Sequence, residues 1–441
     1  MNNKKRLKLF ILMVIAISIS LSLAVASPAG KKALTFNDFI KIKRLSDPQL
    51  SPDGKQIALV VTVMNLEENK GNSDIWLVSA AGGQAVSLIS SPAADFYPRW
   101  SPDGKRILFS SYIPYYAIDA KFPWSYERPG RTQGDEPNFK HLKADEKKKV
   151  SSSPDGPLTD VRAWLAKNAS EGNPRVLTRL NLQGELNLQP NESFSHLFLI
   201  YATGEDKAIQ LTSGFQNFTN AEWSPNGKKI ICTSKIYTMH PDREHDSDLW
   251  VIDTDAKQAN LLLHWDGYSV SRGQFSPDGL SISFHANTTN GRFYSQSIIA
   301  TATATGEKPG LLTSALDRDA GGATWSGDSK TIYFTAQADG DIPLYSIPAK
   351  GGTITKIIGN DNGVNDFDVK GDKIVYALTE TKNPWEIYSY SLKEKSSKQL
   401  TKLNEGWVSE RQIITPKEYW LTRPDGTKVQ YWVMEPIGKK E

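Results

Sequence analysis

The stretch Ser101-Pro102-Asp103-Gly104-Lys105 recurs along this 441-residue chain and sets its architecture. Further copies, some of them degraded, occur at Ser51–Lys55, Ser224–Lys228, Ser276–Gly279, Ser326–Lys330 and Asp368–Gly371. Successive copies begin 50, 123, 52, 50 and 42 residues apart. A period near fifty, with a strand on each side of a fixed turn, is typical of a β-propeller.

Each residue of the repeated turn has a physical reason to be there. Proline presets φ for the first central position of a type I turn, and Asp or Asn tolerates the next position while bonding its own backbone. Glycine takes the positive φ that closes the hairpin with a bulge. The repeat is therefore a strand–turn–strand unit, because only such a unit needs these three residue types in this order.

The flanks of the turn predict stacked blades. A bulky apolar residue precedes each turn: Leu50, Trp100, Trp223, Phe275, Trp325 and Phe367. A short apolar strand follows, such as Ile107–Phe109. One hairpin cannot bury both of its faces, so neighbouring repeats must pack against it.

Each cycle also contains a second pair of strands. The closing strand ends in Leu-Thr three times, at Leu211-Thr212, Leu312-Thr313 and Leu400-Thr401. We therefore predict an all-β fold, a propeller of six to seven four-stranded blades of the WD40-like or TolB-like kind. Six cycles are visible, and a seventh could form from an insertion or from the termini. An irregular β-sandwich with chance repeats fits less well, because most cycles agree in both halves.

The first 26 residues predict a cleavable signal peptide. Lys4, Lys5, Arg6 and Lys8 precede the apolar run 9–23, and Ala24-Val25-Ala26 is a small-x-small cleavage signal. The run is short for a membrane span, so cleavage after Ala26 is favoured over a retained anchor. The expected location is periplasmic or secreted, with membrane contact only through the transient signal peptide.

Composition excludes several classes of function. The formal net charge is +3, but residues 1–26 contribute four basic and no acidic side chains, so the mature chain carries −1. Nothing basic remains to suggest a nucleic-acid partner. Cys232 is the single cysteine; it permits no intrachain disulfide or cysteine-rich metal site and is expected to be a small buried hydrophobe.

Two segments interrupt the repeats. Residues 27–45 form a linker with a short capping helix, in which Thr35 is the N-cap and Asp38 lies three residues on. Within the propeller, residues 46–412, the long gap between turns predicts a polar insertion over 112–195 inside the second blade. Such an insertion either shapes a binding site or is a solvated loop with a small helix, and the sequence leaves both open.

No catalytic motif is present. The segment Gly267-Tyr268-Ser269-Val270-Ser271 lacks the second glycine of a Gly-x-Ser-x-Gly nucleophile elbow. The polar run from His240 to Asp246 fits no metal-ligand spacing and is interpreted as a solvated loop. No phosphate-binding loop occurs either. We therefore expect no metal and no cofactor.

The two ends of the chain resemble the prolyl oligopeptidase family of serine peptidases, in its acylaminoacyl-peptidase and dipeptidyl-peptidase-5 branch. The run 34–54 is similar to the usual start of that branch, and so are Arg179–Asn181 and Ser195–Phe198. After the sixth cycle, residues 413–436 form a hairpin with a Pro-Asp-Gly-Thr turn. In the family such a hairpin opens an α/β-hydrolase domain, so 413–441 is assigned as the start of that domain.

The resemblance implies a non-catalytic role for these residues. The chain stops before the Ser elbow, Asp and His that the family's hydrolase domain would supply, so no catalytic residue is carried over and substrate-binding residues stay unknown. We expect no hydrolysis by this polypeptide alone. The favoured hypothesis is the propeller portion of an exported serine exopeptidase or oligopeptidase, which gates and positions short peptides for a hydrolase domain that is absent from this chain. A separately encoded hydrolase domain is then a possible partner. The alternative is a stand-alone, TolB-like periplasmic propeller that binds proteins or peptides.

Overall fold

A computed structural model describes most of the chain. The described residues are 31–67, 69–114, 153, 155–157, 160–161, 163–164, 193–204, 207–214, 216–235, 246–290, 295–359 and 363–436. The segment predicted to be a signal peptide, most of the insertion predicted over 112–195 and His240–His245 lie outside them.

Among the described residues, six four-stranded antiparallel sheets make up the body of the molecule. A short strand, β1, comes first at Lys32–Ala33, followed by helix α1 at Phe36–Ile40. Blade 1 contains β2 (Arg44–Leu50), β3 (Gln56–Asn65), β4 (Lys70–Ser79) and β5 (Val86–Ser87). Blade 2 contains β6 (Asp95–Trp100), β7 (Arg106–Pro114), β8 (Ser193–Tyr201) and β9 (Ile209–Gln210).

The next four blades repeat this order. Blade 3 contains β10 (Phe218–Trp223), β11 (Lys229–Ser234), β12 (Asp248–Asp253) and β13 (Ala259–Leu263). Blade 4 contains β14 (Tyr268–Phe275), β15 (Ser281–Thr288), β16 (Ile298–Thr303) and β17 (Gly310–Leu311). Blade 5 contains β18 (Ala320–Trp325), β19 (Thr331–Ala336), β20 (Leu344–Pro348) and β21 (Thr355–Ile358). Blade 6 contains β22 (Gly363–Lys370), β23 (Lys373–Thr379), β24 (Glu386–Ser391) and β25 (Ser396–Gln399).

The blades close into a ring. The core divides into six clusters of buried apolar side chains, and each cluster joins two neighbouring blades. One of them joins Leu45 and Leu59 of blade 1 to Val375 and Ile387 of blade 6, which closes the circle. The predicted all-β propeller is confirmed, with six blades among the described residues.

The repeated turn has the hydrogen bonds that its sequence predicts. In the first copy the Ser51 hydroxyl donates to the Asp53 carboxylate at 2.6 Å and accepts from the Gln56 N–H at 2.9 Å. Gly54 has φ +69°. In the fifth copy Ser329 adopts φ +60° where the other turns use glycine. The turn geometry therefore survives even where its sequence is degraded.

The Leu-Thr pairs extend the fourth strand of their blades. Leu312 donates its N–H to the Ile299 carbonyl at 2.8 Å, and the Thr313 hydroxyl then accepts the Ile299 N–H at 3.0 Å. Thr212 and Thr401 accept the N–H groups of Leu197 and Ile387 in the same way. A side-chain oxygen thus satisfies a buried N–H of the third strand where the fourth strand ends.

The two ends of the described chain meet beside the seam between blades 1 and 6. Helix α2 spans Glu405–Glu410, and β26 at Arg411–Gln412 pairs in parallel with β1. Arg411 contacts the Asp38 carboxylate at 2.6 Å, and Asp38 also forms the predicted capping box with Thr35. A separate hairpin follows, formed by β27 (Lys417–Thr422) and β28 (Lys428–Val433).

Strands β7 and β8 flank the insertion and place its ends. They pair as far as Pro114↔Ser193 and include Tyr112↔Ser195, so the chain between them leaves one end of blade 2. The proposed domain boundaries stay predictions.

Cys232 is fully buried in β11, as expected, and burial raises the pKa of its thiol. In the part of the chain described here, no helix has both the length and the apolar character to cross a bilayer.

Candidate functional site in the central channel

A polar cavity of about 320 Å³ lies where the first strands of all six blades converge. One set of its lining residues stands two positions before each repeated turn: Gln49, Arg99, Glu222, Gln274, Thr324 and Asp366. A second set stands four positions before the turn: Asp47, Tyr97, Asn220, Arg272 and Gly322, with Asn365 nearest to this place in blade 6. The volume is at the low end of the range for small-molecule pockets.

A β-bulge in each inner strand shapes the channel wall. The register shifts at Asp47 in β2, Tyr97 in β6, Asn220 in β10 and Arg272 in β14. These four residues adopt left-handed φ values between 47° and 60°. A bulge bends the strand and re-aims a side chain. The bulge therefore decides which side chains face the cavity, and the simple alternation of side chains along a strand does not predict them.

Arg99 is held between two carboxylates. Its Nη1 lies 2.9 Å from each oxygen of Asp47, and its Nε donates to Glu222. The guanidinium also lies 3.6 Å from the centre of the Tyr97 ring. Burial alone would lower the pKa of Arg99, but the two carboxylates raise it above its usual range. This triad joins blades 1, 2 and 3 through charge-assisted hydrogen bonds, although burial raises the pKa of Glu222.

Two further charges in the cavity lack such a partner. Arg272 is exposed within the channel and, among the described residues, its guanidinium has no ion pair or hydrogen bond. Asp366 accepts the N–H of Asp47 at 3.1 Å but has no cation within ion-pair distance in the same residues. Burial, followed by the charge of Asp47, raises the pKa of Asp366.

The described lining of the cavity offers charged and hydrogen-bonding groups. No histidine or cysteine is found among the described residues that line it. Ser269 of the elbow-like segment lies in strand β14, where its hydroxyl bonds to that of Ser247. Among the described residues no cluster of three His, Cys, Asp or Glu could hold a metal. The run beginning at His240 lies outside those residues up to His245.

None of the polar residues that line the channel was predicted as a site residue from the sequence. The signal was nevertheless present, because the lining positions stand two and four residues before each copy of the turn. Aligning the six copies would have shown a polar residue at the nearer position in every blade. A search for known catalytic motifs does not find a site to which each repeat contributes one or two lining residues.

A second, apolar cavity of about 550 Å³ lies beside the seam. It is lined by the α1 region, by blade 6 and by the segment leading to the hairpin, through Phe39, Trp385, Trp407, Ile414 and Met434 among others. The outer face of the β27–β28 hairpin is apolar as well. Tyr419, Leu421, Val429, Tyr431 and Val433 are between 39% and 57% exposed.

The opposite face of the hairpin contacts blade 5. Gln430 donates to the Asp339 carbonyl at 2.8 Å, and Trp432 lies against Gly340. Because side chains alternate along a strand, the residues between them point away from the propeller. An apolar sheet face thus stands on the ring with no partner among the described residues.

Comparison with known proteins identifies what this architecture resembles. No protein-family model matches the chain. Over 426 residues it is 24% identical to dipeptidyl-peptidase 5 of Porphyromonas gingivalis, covering 91% of this chain and 60% of that protein. It is 26% identical over 431 residues to the uncharacterized peptidase YuxL of Bacillus subtilis, covering 92% and 64%. The chain therefore spans less than two thirds of the length of these relatives.

Solved structures show the same fold. The acylaminoacyl peptidase of Pyrococcus horikoshii aligns with a TM-score of 0.53 at 15% identity, over 90% of this chain and 59% of that one. The expected resemblance to the dipeptidyl-peptidase-5 and acylaminoacyl-peptidase branch of the prolyl oligopeptidases is confirmed. The 441 residues correspond in extent to the propeller portion of such a protein.

Proposed function

We propose that this chain is the substrate-gating propeller of an exported serine exopeptidase or oligopeptidase that acts on short peptides. The observation that carries the proposal is the similarity to dipeptidyl-peptidase 5, which extends over 91% of the chain. The hairpin after blade 6 adds support, since it presents an apolar face beside an apolar cavity. Exposed apolar patches of this kind mark interaction sites.

The partner of that face is an α/β-hydrolase domain. The relatives extend well beyond the residues they share with this chain, and a hydrolase domain would supply the nucleophile that the channel lacks. The ring then acts as a filter, because a peptide that passes through it must fit a channel lined by six inner strands. Export depends on the signal peptide predicted over residues 1–26.

The test is to read about three hundred codons beyond Glu441 and to express the encoded domain with this chain. We expect a Gly-x-Ser-x-Gly elbow and hydrolysis of a dipeptidyl anilide by the pair, but none by either part. Absence of a hydrolase sequence there and elsewhere in the genome would overturn the proposal, and a stand-alone binding scaffold would replace it.

A pair of hairpin variants tests the docking surface. Leu421→Asp places a charge on the outer face, and Thr422→Asp places the same charge one residue along, on the opposite face. We expect Leu421→Asp to abolish co-purification of the two parts while Thr422→Asp retains it. Equal behaviour of the two variants would exclude this face as the contact.

A further inference from the structure

We infer that the central channel binds a short zwitterionic peptide, with Arg272 contacting the terminal carboxylate and Asp366 contacting the terminal ammonium group. This inference rests on the proposed function for the class of ligand, a peptide. The residues that carry it are the unpaired charges of the cavity.

The charges of the channel separate into a satisfied set and an unsatisfied set. Arg99 is taken up by Asp47 and Glu222, at 2.9 Å from each oxygen of Asp47, so this triad has no cation to offer a ligand. Within the described residues, neither the guanidinium of Arg272 nor the carboxylate of Asp366 has a counter-ion within ion-pair distance, although the positive charges of Arg99 and Arg272 act on Asp366 from further away. The described part of the cavity thus presents one free cation and one free anion, which is the complement of a zwitterion.

The two free charges lie on either side of an open section of the wall. Arg272 belongs to blade 4 and Asp366 to blade 6, and blade 5 between them contributes Gly322, Ala323 and Thr324. These small side chains leave room next to both charges. A guanidinium presents a planar fork of donors that matches a carboxylate, whereas a carboxylate accepts the N–H bonds of an ammonium group.

The size of the cavity limits the ligand. A volume of about 320 Å³ suits a small molecule. A long peptide places its two terminal charges too far apart to reach both residues, since an extended chain spans about 3.3–3.6 Å per residue. The site therefore selects peptides of a few residues with both termini free. Acylated or amidated peptides lack one of the two charges.

The experiment is a calorimetric titration of the purified full chain with dialanine and its capped forms. We expect dialanine to bind, and both N-acetyl-dialanine and dialanine amide to bind at least tenfold more weakly. Arg272→Gln should weaken the binding of dialanine tenfold and should bind dialanine and dialanine amide with equal affinity. N-acetyl-dialanine should still bind this variant more weakly than dialanine does. Asp366→Asn should weaken the binding of dialanine tenfold and bind dialanine and N-acetyl-dialanine with equal affinity, while dialanine amide still binds more weakly.

Controls separate recognition from folding. The amide oxygen introduced by Asp366→Asn would still accept the Asp47 N–H, and Arg272 is exposed, so both variants should keep the thermal unfolding midpoint of the wild type. Arg423→Gln, on the hairpin, removes an exposed arginine that does not line the cavity and should leave every affinity unchanged. Arg272→Lys keeps the charge without the fork and should retain part of the preference for a free carboxylate.

The outcome is independent of the peptidase test, since it needs no hydrolase domain. Capped and uncapped dialanine binding equally, or no binding of dialanine, overturns the zwitterion site even if the reconstituted pair is a peptidase. Binding with the expected pattern, but no peptidase on reconstitution, overturns the proposed function and leaves the site standing.

Discussion

Single side chains hold the channel wall in place, and Arg99 is the clearest example. It is 8% exposed and contacts carboxylates from two neighbouring blades. Removing one member of a buried ion-pair network leaves the other charges buried without a partner, and that penalty dominates.

Arg99→Met should therefore destabilise the protein by about 3–5 kcal/mol. Chemical denaturation monitored by tryptophan fluorescence measures the change. The triple variant Arg99→Met, Asp47→Asn, Glu222→Gln removes the stranded charges as well and should recover part of the loss. A triple variant less stable than Arg99→Met would contradict this account.

The pH dependence of stability can be tested with two histidines, His285 and His264, whose pKa values are shifted in opposite directions. Burial lowers the pKa of His285 to about 3, so the native state keeps it neutral while the unfolded chain takes up a proton below its ordinary value of 6.5. The unfolded state then binds more protons, and the free energy of unfolding decreases as the pH falls from 6.5, by about 1 kcal/mol per pH unit. His285→Gln should flatten that decline.

His264 is the matched control for His285. Its bond to the Asp248 carboxylate raises its pKa, with Asp266 contributing further. The native state therefore holds this proton more tightly, so its contribution is present below the ordinary value and is lost as the pH rises through the native pKa. His264→Gln should leave the acid decline intact. Unfolding curves recorded between about pH 4 and about 8 separate the two.

At the scale of the element, the third and fourth strands of a blade are joined by a side chain. The Thr313 hydroxyl is the acceptor for the Ile299 N–H, and Thr313 is only 1% exposed. Thr313→Val keeps the shape but leaves that N–H without a partner, which costs about 1–3 kcal/mol. Thr313→Ser keeps the hydroxyl and should cost less. Equal losses in thermal denaturation would show that packing, not the hydrogen bond, is what matters.

The elements were largely predictable from the sequence because their signals are local. The turn residues require particular φ values. The Thr35–Asp38 capping box could be predicted from the identity and spacing of its two residues. The channel was not predicted, because its lining depends on bulges that shift the register. A bulge has no distinct residue signal here, since Asp47, Tyr97, Asn220 and Arg272 share no chemistry. The pairing of Arg99 with Asp47 and Glu222 joins three blades and needed the closed ring.

At the scale of the whole molecule, the ring closes at the seam between blades 1 and 6 through the most degraded copy of the turn. Asp368 stands where the other turns have serine, and its carboxylate accepts the Leu50 N–H at 2.8 Å. Lys370 donates to the Leu50 carbonyl at 2.7 Å. At two other blade interfaces a tryptophan indole makes the bond instead, from Trp100 to the Gln49 carbonyl and from Trp223 to that of Arg99. The sequence deviation in blade 6 therefore serves closure.

Replacing both seam residues, as Asp368→Ala with Lys370→Met, removes the acceptor of the Leu50 N–H and the donor to its carbonyl, and should loosen this junction more than the others. We expect the Leu50 amide to exchange with deuterium at least tenfold faster, a change of about 1.4 kcal/mol, while amides of β10 and β14 are unaffected. Lys105→Met, in an exposed turn, is the control. Unchanged exchange at Leu50 would mean that the apolar core alone closes the ring.

The parallel contact of Lys32 with Arg411 has a consequence for the order of the blades along the chain. It places the two ends of the ring side by side. In the residues that the structure describes, each blade has four consecutive strands and takes no strand from the other terminus. The blade at which the chain starts then depends only on which blades are covalently connected, and the packing between blades does not determine it. A circular permutant that connects residue 412 to residue 31 through an added flexible linker, because parallel strands need a crossover connection, and opens a loop between two other blades would retain all six interfaces. Any blade can then serve as the first.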